Sequence, residues 1–99
     1  MDLKKTPFML NEKKKHIQKA ASFQKTTILN IQMQQGEMIA EHAVDADVVI
    51  IVRSGEVSFT VEGEAVQVRP ENLLHMEPLE KHSLKAESAC DLIVMQIQR

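Results

Sequence analysis

The chain has one cysteine, Cys90, among its 99 residues. It can form no disulfide within the chain and has no partner cysteine for a zinc cluster, which fits a reducing compartment. Cys90 reads as a small buried apolar residue near the start of a strand rather than as a nucleophile. No apolar stretch approaches the roughly 20 residues that span a bilayer, and Met1 to Ala20 holds no apolar block resembling a signal peptide. The expectation is a cytoplasmic chain with no membrane partner. No serine or cysteine sits in a recognisable nucleophile elbow, and no glycine-rich phosphate loop occurs. The glycines of "GEVSFTVEGE" read as hairpin turns.

What is present is the balance of an ordinary globular domain, with 43% apolar and 26% charged residues. The length allows about one domain. Charge is unevenly placed although the total is only −2. Residues 1 to 25 hold seven lysines against Asp2 and Glu12, so this segment carries +5 and the remainder −7. The lysines are not interleaved with aromatics, include no arginine and precede an acidic body, which argues against nucleic acid as a partner. A solvated or dimer-covering N-terminal arm over residues 1–24, followed by a barrel over 25–99, fits better.

After residue 25 the period is two. "EVSFTVEGE" puts Val57, Phe59 and Val61 on one face, and "EAVQVRPEN" repeats the alternation with Val66 and Val68, so Glu56 to Arg69 reads as a hairpin around "EGE". "TTILNIQM", "LLHM", "HSLKAE" and "DLIVMQIQ" add further short strands, and the spacing points to an all-β antiparallel sandwich or barrel. "NEKKKHIQKAA" is open between a short helix capped by Asn11, an irregular arm and an edge strand. "DVVIIV" is apolar at every place from Val48 to Val52, so both its faces need a cover. A second subunit is the expected outer cover, making a homodimer; loops or the N-terminal segment are the other solution.

The order Gly36, His42, a strand ending "VRSGE", a hairpin through "VEGE" and then "VRPENLLHMEPLEKHSLKAE" resembles a small stand-alone cupin of the conserved-barrel type, over roughly residues 25 to 97. Gly36, His42 and Gly55 match the first cupin motif at its spacing. The motif's second histidine falls on Val44 and its glutamate on Val48. In the second motif His82 falls on the histidine, while Glu71, Glu77, Leu79 and Ala86 stand at the other signature places, and Pro78 comes one place late.

The resemblance implies an antiparallel jelly roll of six to eight strands, with an interior pocket holding His42, Val44, Val48, Ile50 and His82. A catalytic transition-metal site normally needs about three protein ligands. The resemblance supplies two, His42 and His82, and valines offer no lone pairs. At most a weak site for zinc, nickel, manganese or iron is expected, unless His75 of "LLHM" points inward as a third imidazole. If Leu74 and Met76 are the inward pair, His75 faces out. Asp45, Asp47 and Glu80 read as turn or loop charges, and His16 as a surface residue. Met38, Ile50, Phe59 and Met76 are candidates to fill the cavity. The functional expectation is a barrel that binds a small organic ligand. The alternative is a metal-dependent enzyme of dioxygenase, isomerase or decarboxylase type using His42, His82 and a third ligand.

Overall fold

The computed structural model describes residues 1–99 and contains nine strands and no helix: β1 (Lys15–Phe23), β2 (Thr26–Met33), β3 (Met38–His42), β4 (Asp47–Ser54), β5 (Val57–Val61), β6 (Glu64–Val68), β7 (Leu73–Met76), β8 (His82–Ala86) and β9 (Cys90–Ile97). Two antiparallel sheets face each other, one ordered β1-β2-β9-β4-β7 and the other β3-β8-β5-β6. This is the expected antiparallel jelly roll, with nine strands where six to eight were expected, because residues 15–23 add an edge strand. The short N-terminal helix is not formed. Asn11 sits in a single turn, where Glu12 and Lys13 both donate to the Met9 carbonyl, and Lys15–Phe23 is an edge strand. Its pairing explains why: Gln24 and Lys25 both adopt positive φ, a two-residue turn that matches strand twist and lays β1 on β2 from Phe23↔Thr26 to Lys15↔Met33.

The expected hairpin is β5–β6, turning at Glu62 and Gly63, both at positive φ. Gly55 also has positive φ, and a Cβ there would collide with the Ala89 carbonyl, so this place admits only glycine. The core lies between the sheets. Fourteen buried apolar residues form one cluster, among them Met33, Ile50, Phe59 and Met76. Fully burying a side chain of this size stabilises by about 1.5–3 kcal/mol relative to leaving it in water. β4 alternates after all: Val48, Ile50 and Val52 are buried against the second sheet, while Val49 and Ile51 on the outer face are half-buried.

The outer face is not covered by apolar packing alone. Asn30 and Gln32 on β2 are both 0% exposed although they point away from the core. The Gln32 amide donates to the Pro7 carbonyl (2.8 Å) and to Asn30 Oδ1 (3.0 Å), and its oxygen accepts from the Met9 amide (2.8 Å). Asn30 in turn donates to Asp91 Oδ1 and the Leu92 carbonyl. Asp91 also accepts a two-pronged contact from Arg53, whose guanidinium reaches the Thr6 hydroxyl. Residues 6–10 are thereby strapped over β2 by a connected polar network.

A second polar knot closes one end of the five-stranded sheet. Asp47 accepts from Arg99 through Nε (2.8 Å) and Nη2 (3.1 Å), and from His75 Nε2 (2.8 Å). These partners, Arg99 first and His75 second, hold the Asp47 carboxyl well below the usual carboxylate range.

Two outcomes follow. Gln32→Ala should lower stability by about 1–3 kcal/mol in urea denaturation, because it strands the Met9 amide, the Pro7 carbonyl and Asn30, and should speed proteolysis at the N-terminal lysines. An unchanged midpoint would show that the strap adds nothing. Because folding lowers the Asp47 pKa, its contribution is complete above the unfolded carboxylate value near pH 4 and fades as pH falls through the folded value. The stability gap between wild type and Asp47→Asn should therefore shrink steadily from pH 5 to pH 2, and a gap constant over that range would contradict the assignment.

Candidate functional site

A cavity of about 130 Å³ lies between the sheets. Val48 and Ile50 of β4 and Phe59 of β5 form part of its apolar wall, and Ile17 and Ile39 reach it from the two edge strands, β1 and β3. The Lys15 ammonium donates to the Met38 carbonyl and so links those edges at one end. Three polar residues interrupt the apolar lining: His42, His82 and Gln96.

His42 and His82 are register partners across β3 and β8, with ring centres 4.3 Å apart and planes tilted by 60°. Their surroundings differ. His82 is 4% exposed, whereas His42 is exposed to solvent at the pocket's rim. In each ring Nδ1 lies 3.0 Å from a backbone carbonyl two residues earlier, Ala40 for His42 and Glu80 for His82. A carbonyl oxygen only accepts, so Nδ1 carries the proton and Nε2 of the neutral ring is an acceptor. Neither Nε2 has a protein partner. No buried side-chain nitrogen or oxygen in the chain lacks one, so the His82 Nε2 is reachable from the cavity rather than sealed. Gln96, opposite Val48 on β9, also lines this space.

The other candidates distribute differently. His75 is corrected: Leu74 and Met76 are the inward pair of β7, and His75 stands on the outer face, bonded to Asp47. Pairing with β4 fixes this parity, because Val49, opposite His75, also points outward. Val44 packs against the core beside the pocket without lining it. Met38 is exposed, so it does not fill the cavity, while Phe59 and Met76 belong to the buried core. Asp45 lies in the loop before β4, Glu80 caps the Glu77 amide, and His16 lies beside Gln18 on β1, away from the cavity. No three histidine, cysteine, aspartate or glutamate side chains meet as a group that could hold a metal ion. Burial pushes the Cys90 thiol up to about 11, which leaves it inert near neutral pH.

Gln96 and Ile17 were not singled out by sequence. The signal for Gln96 was available: Leu92 and Val94 set the inward phase of β9, and Gln96 is the polar residue that falls on it. Ile17 becomes visible only once residues 15–23 are known to be a strand.

No helix of the chain is long and apolar enough to cross a membrane. Among solved structures, the chain is similar to an RmlC-like cupin family protein with a double-stranded β-helix fold from Methanocaldococcus jannaschii, at 17% identity and TM-score 0.84, covering 99% of this chain and 91% of that one. It is also similar to a conserved protein of unknown function from Streptococcus pyogenes (16%, TM-score 0.83, 100% and 91%). A cupin superfamily protein from Desulfitobacterium hafniense is a further match (15%, TM-score 0.80, 86% and 78%). No curated protein matches significantly. Likeness at these identities speaks to the fold, and a cupin barrel is the fold observed. Residues 27–98 match the model of the AraC-like ligand-binding domain, and the chain belongs to that family.

Proposed function

We propose that the chain binds a small organic molecule in the cavity between its sheets, without a resident metal. The observation that carries this reading is the His82 ring: 4% exposed, its Nδ1 committed to a carbonyl, and its Nε2 opening onto an otherwise apolar pocket. A few polar atoms converging on a largely apolar cavity are what orients a small ligand there. A cupin metal centre does not fit the residues present. Two imidazoles face the cavity where a catalytic ion normally takes about three ligands, and Val48 occupies the space from which a carboxylate would offset its charge.

Elemental analysis after dialysis should therefore find well under one transition metal per chain, and small apolar organic probes should raise the melting temperature. Val48→Phe, which fills the pocket, should abolish that rise in a still-folded protein. One metal per chain, lost in both His42→Ala and His82→Ala, would overturn the reading in favour of a metal enzyme.

We assign the outer face of the five-stranded sheet to a second copy of the chain. Ile28, Met95 and Val49 lie in one cross-strand row and Ile93, Ile51 and Leu73 in the next, with Leu73 63% exposed. The Arg53–Asp91 and Asp47–Arg99 pairs border this apolar band with both signs of charge at each end, which suits a two-fold related copy. Sedimentation equilibrium should give a dimer that Ile51→Lys converts to monomer with probe binding intact; a wild-type monomer at high micromolar concentration would remove the assignment.

A further inference from the structure

The hydrogen-bonding pattern of the pocket narrows the chemistry of what it holds, an inference that rests on the ligand-binding reading above. Both imidazoles have their Nδ1 protons committed to carbonyl oxygens, so in its neutral form each ring presents an Nε2 lone pair to the pocket. No carboxylate and no lysine or arginine lines the cavity. A ligand carboxylate would set its own lone pairs against those of the rings, with no fixed cation to stabilise its charge in an apolar space. A ligand ammonium would supply donors but find no anion. A neutral hydroxyl supplies the donor that the imidazoles lack, and Gln96 can accept from or donate to the same group.

Size and wall chemistry set the rest. The cavity, about 130 Å³, is close to the roughly 150 Å³ at which an apolar protein cavity takes up benzene. A sugar of similar bulk carries several hydroxyls, and three polar side chains set in isoleucine, valine and phenylalanine cannot satisfy them; each unmatched hydroxyl loses its water without replacement. We propose that the pocket selects a compact, uncharged ligand with an apolar ring or branched body of about benzene size and a single hydroxyl head. The body lies against Val48, Ile50 and Phe59. The head donates to Nε2 of His82 or of the neighbouring His42.

The test is calorimetric titration of the full chain at pH 8 with four probes: phenol, benzene, benzoate and L-arabinose. Phenol should bind about tenfold or more tightly than benzene, since a site built to accept from a hydroxyl rejects the analogue lacking it, and benzoate and arabinose should not saturate. The double variant His42→Phe with His82→Phe keeps two rings and removes both acceptors, so it should bring phenol to within about threefold of benzene while leaving benzene unchanged, and a phenol preference kept in full would overturn the proposal. If the double variant does not fold, the two single variants are compared, and at least one of them should narrow the gap between phenol and benzene. Equal affinity for phenol and benzene in wild type would overturn the hydroxyl preference and leave the pocket reading standing. Tighter binding of benzoate or arabinose would overturn the proposed class. No saturable binding of any probe by folded protein would overturn both.

Discussion

β3 meets β8 as Met38↔Lys85 and Ile39↔Leu84, and a regular ladder would go on to set Glu41 opposite His82. The register slips between Ile39 and His42, so that His42 takes that place. An extra residue on one strand inverts inward and outward beyond it. Ile39 and His42 consequently both face the pocket although three positions separate them, and Ala40 and Glu41 between them are exposed. Without the bulge, the inward group beside His82 would be a carboxylate, and an unpaired carboxylate in an apolar cavity is among the costliest groups to bury. The start of the strand is pinned independently: the Gly36 amide donates to the Ala86 carbonyl and the Ala86 amide to that of Glu37, both at 2.9 Å. The slip thus falls between two fixed points, the paired start of β3 and the Val44 carbonyl, which accepts from the Leu79 amide. Everything inferred about the pocket depends on those two residues of irregular backbone.

β2 carries the complementary constraint. Its inward side chains, Ile31 and Met33, bury apolar surface, which holds the two sheets together without dictating an order among segments outside. Its outward pair, Asn30 and Gln32, is completely buried too, and there the logic is directional. Each amide must find partners of the right sense, and the partners it finds are the Pro7 carbonyl, the Met9 amide and Asp91. A network satisfied in full specifies one arrangement of the strap, whereas a half-satisfied one would be worse than an apolar surface. The strap and the outward apolar residues of β4 and β9 divide the outer face between them. One part is closed from within the chain and the other remains half-buried.

This division bears on how far the sequence could be read. From Asp47 onward, strands and hairpin were legible because alternation is a direct image of a sheet with one buried face. Gly36, His42, Gly55 and His82 fell at motif spacing. The same period was unreadable in residues 15–23, where lysines and glutamines occupy an edge strand with little burial, and the pairing with β2 decides the outcome against helix propensity. His75 was undecidable in a strand of four residues, since either parity buries one leucine; its orientation is set by register against β4. The bulge in β3 left no trace in composition. Gln96 was the one omission with a visible cue, a polar residue on the inward phase of an otherwise apolar strand.

The two valines that stand at cupin ligand places are not equivalent in three dimensions. Val48 is on a central strand, 3% exposed, and lines the cavity that also contains both imidazoles. Val44 lies in the loop before β4, packed against the core, with its carbonyl accepting from the Leu79 amide at 2.8 Å. A carboxylate at position 48 would project into the pocket directly. A ligand at 44 would need the loop to turn, against a backbone contact that ties it to the β7–β8 connection. Rebuilding a three-ligand centre is therefore a matter of geometry as well as chemistry. In the pocket that exists, Val48 adds apolar wall beside two imidazoles and has no lone pair to offer an ion, so the space between the sheets is lined by hydrocarbon where a metal centre needs charge.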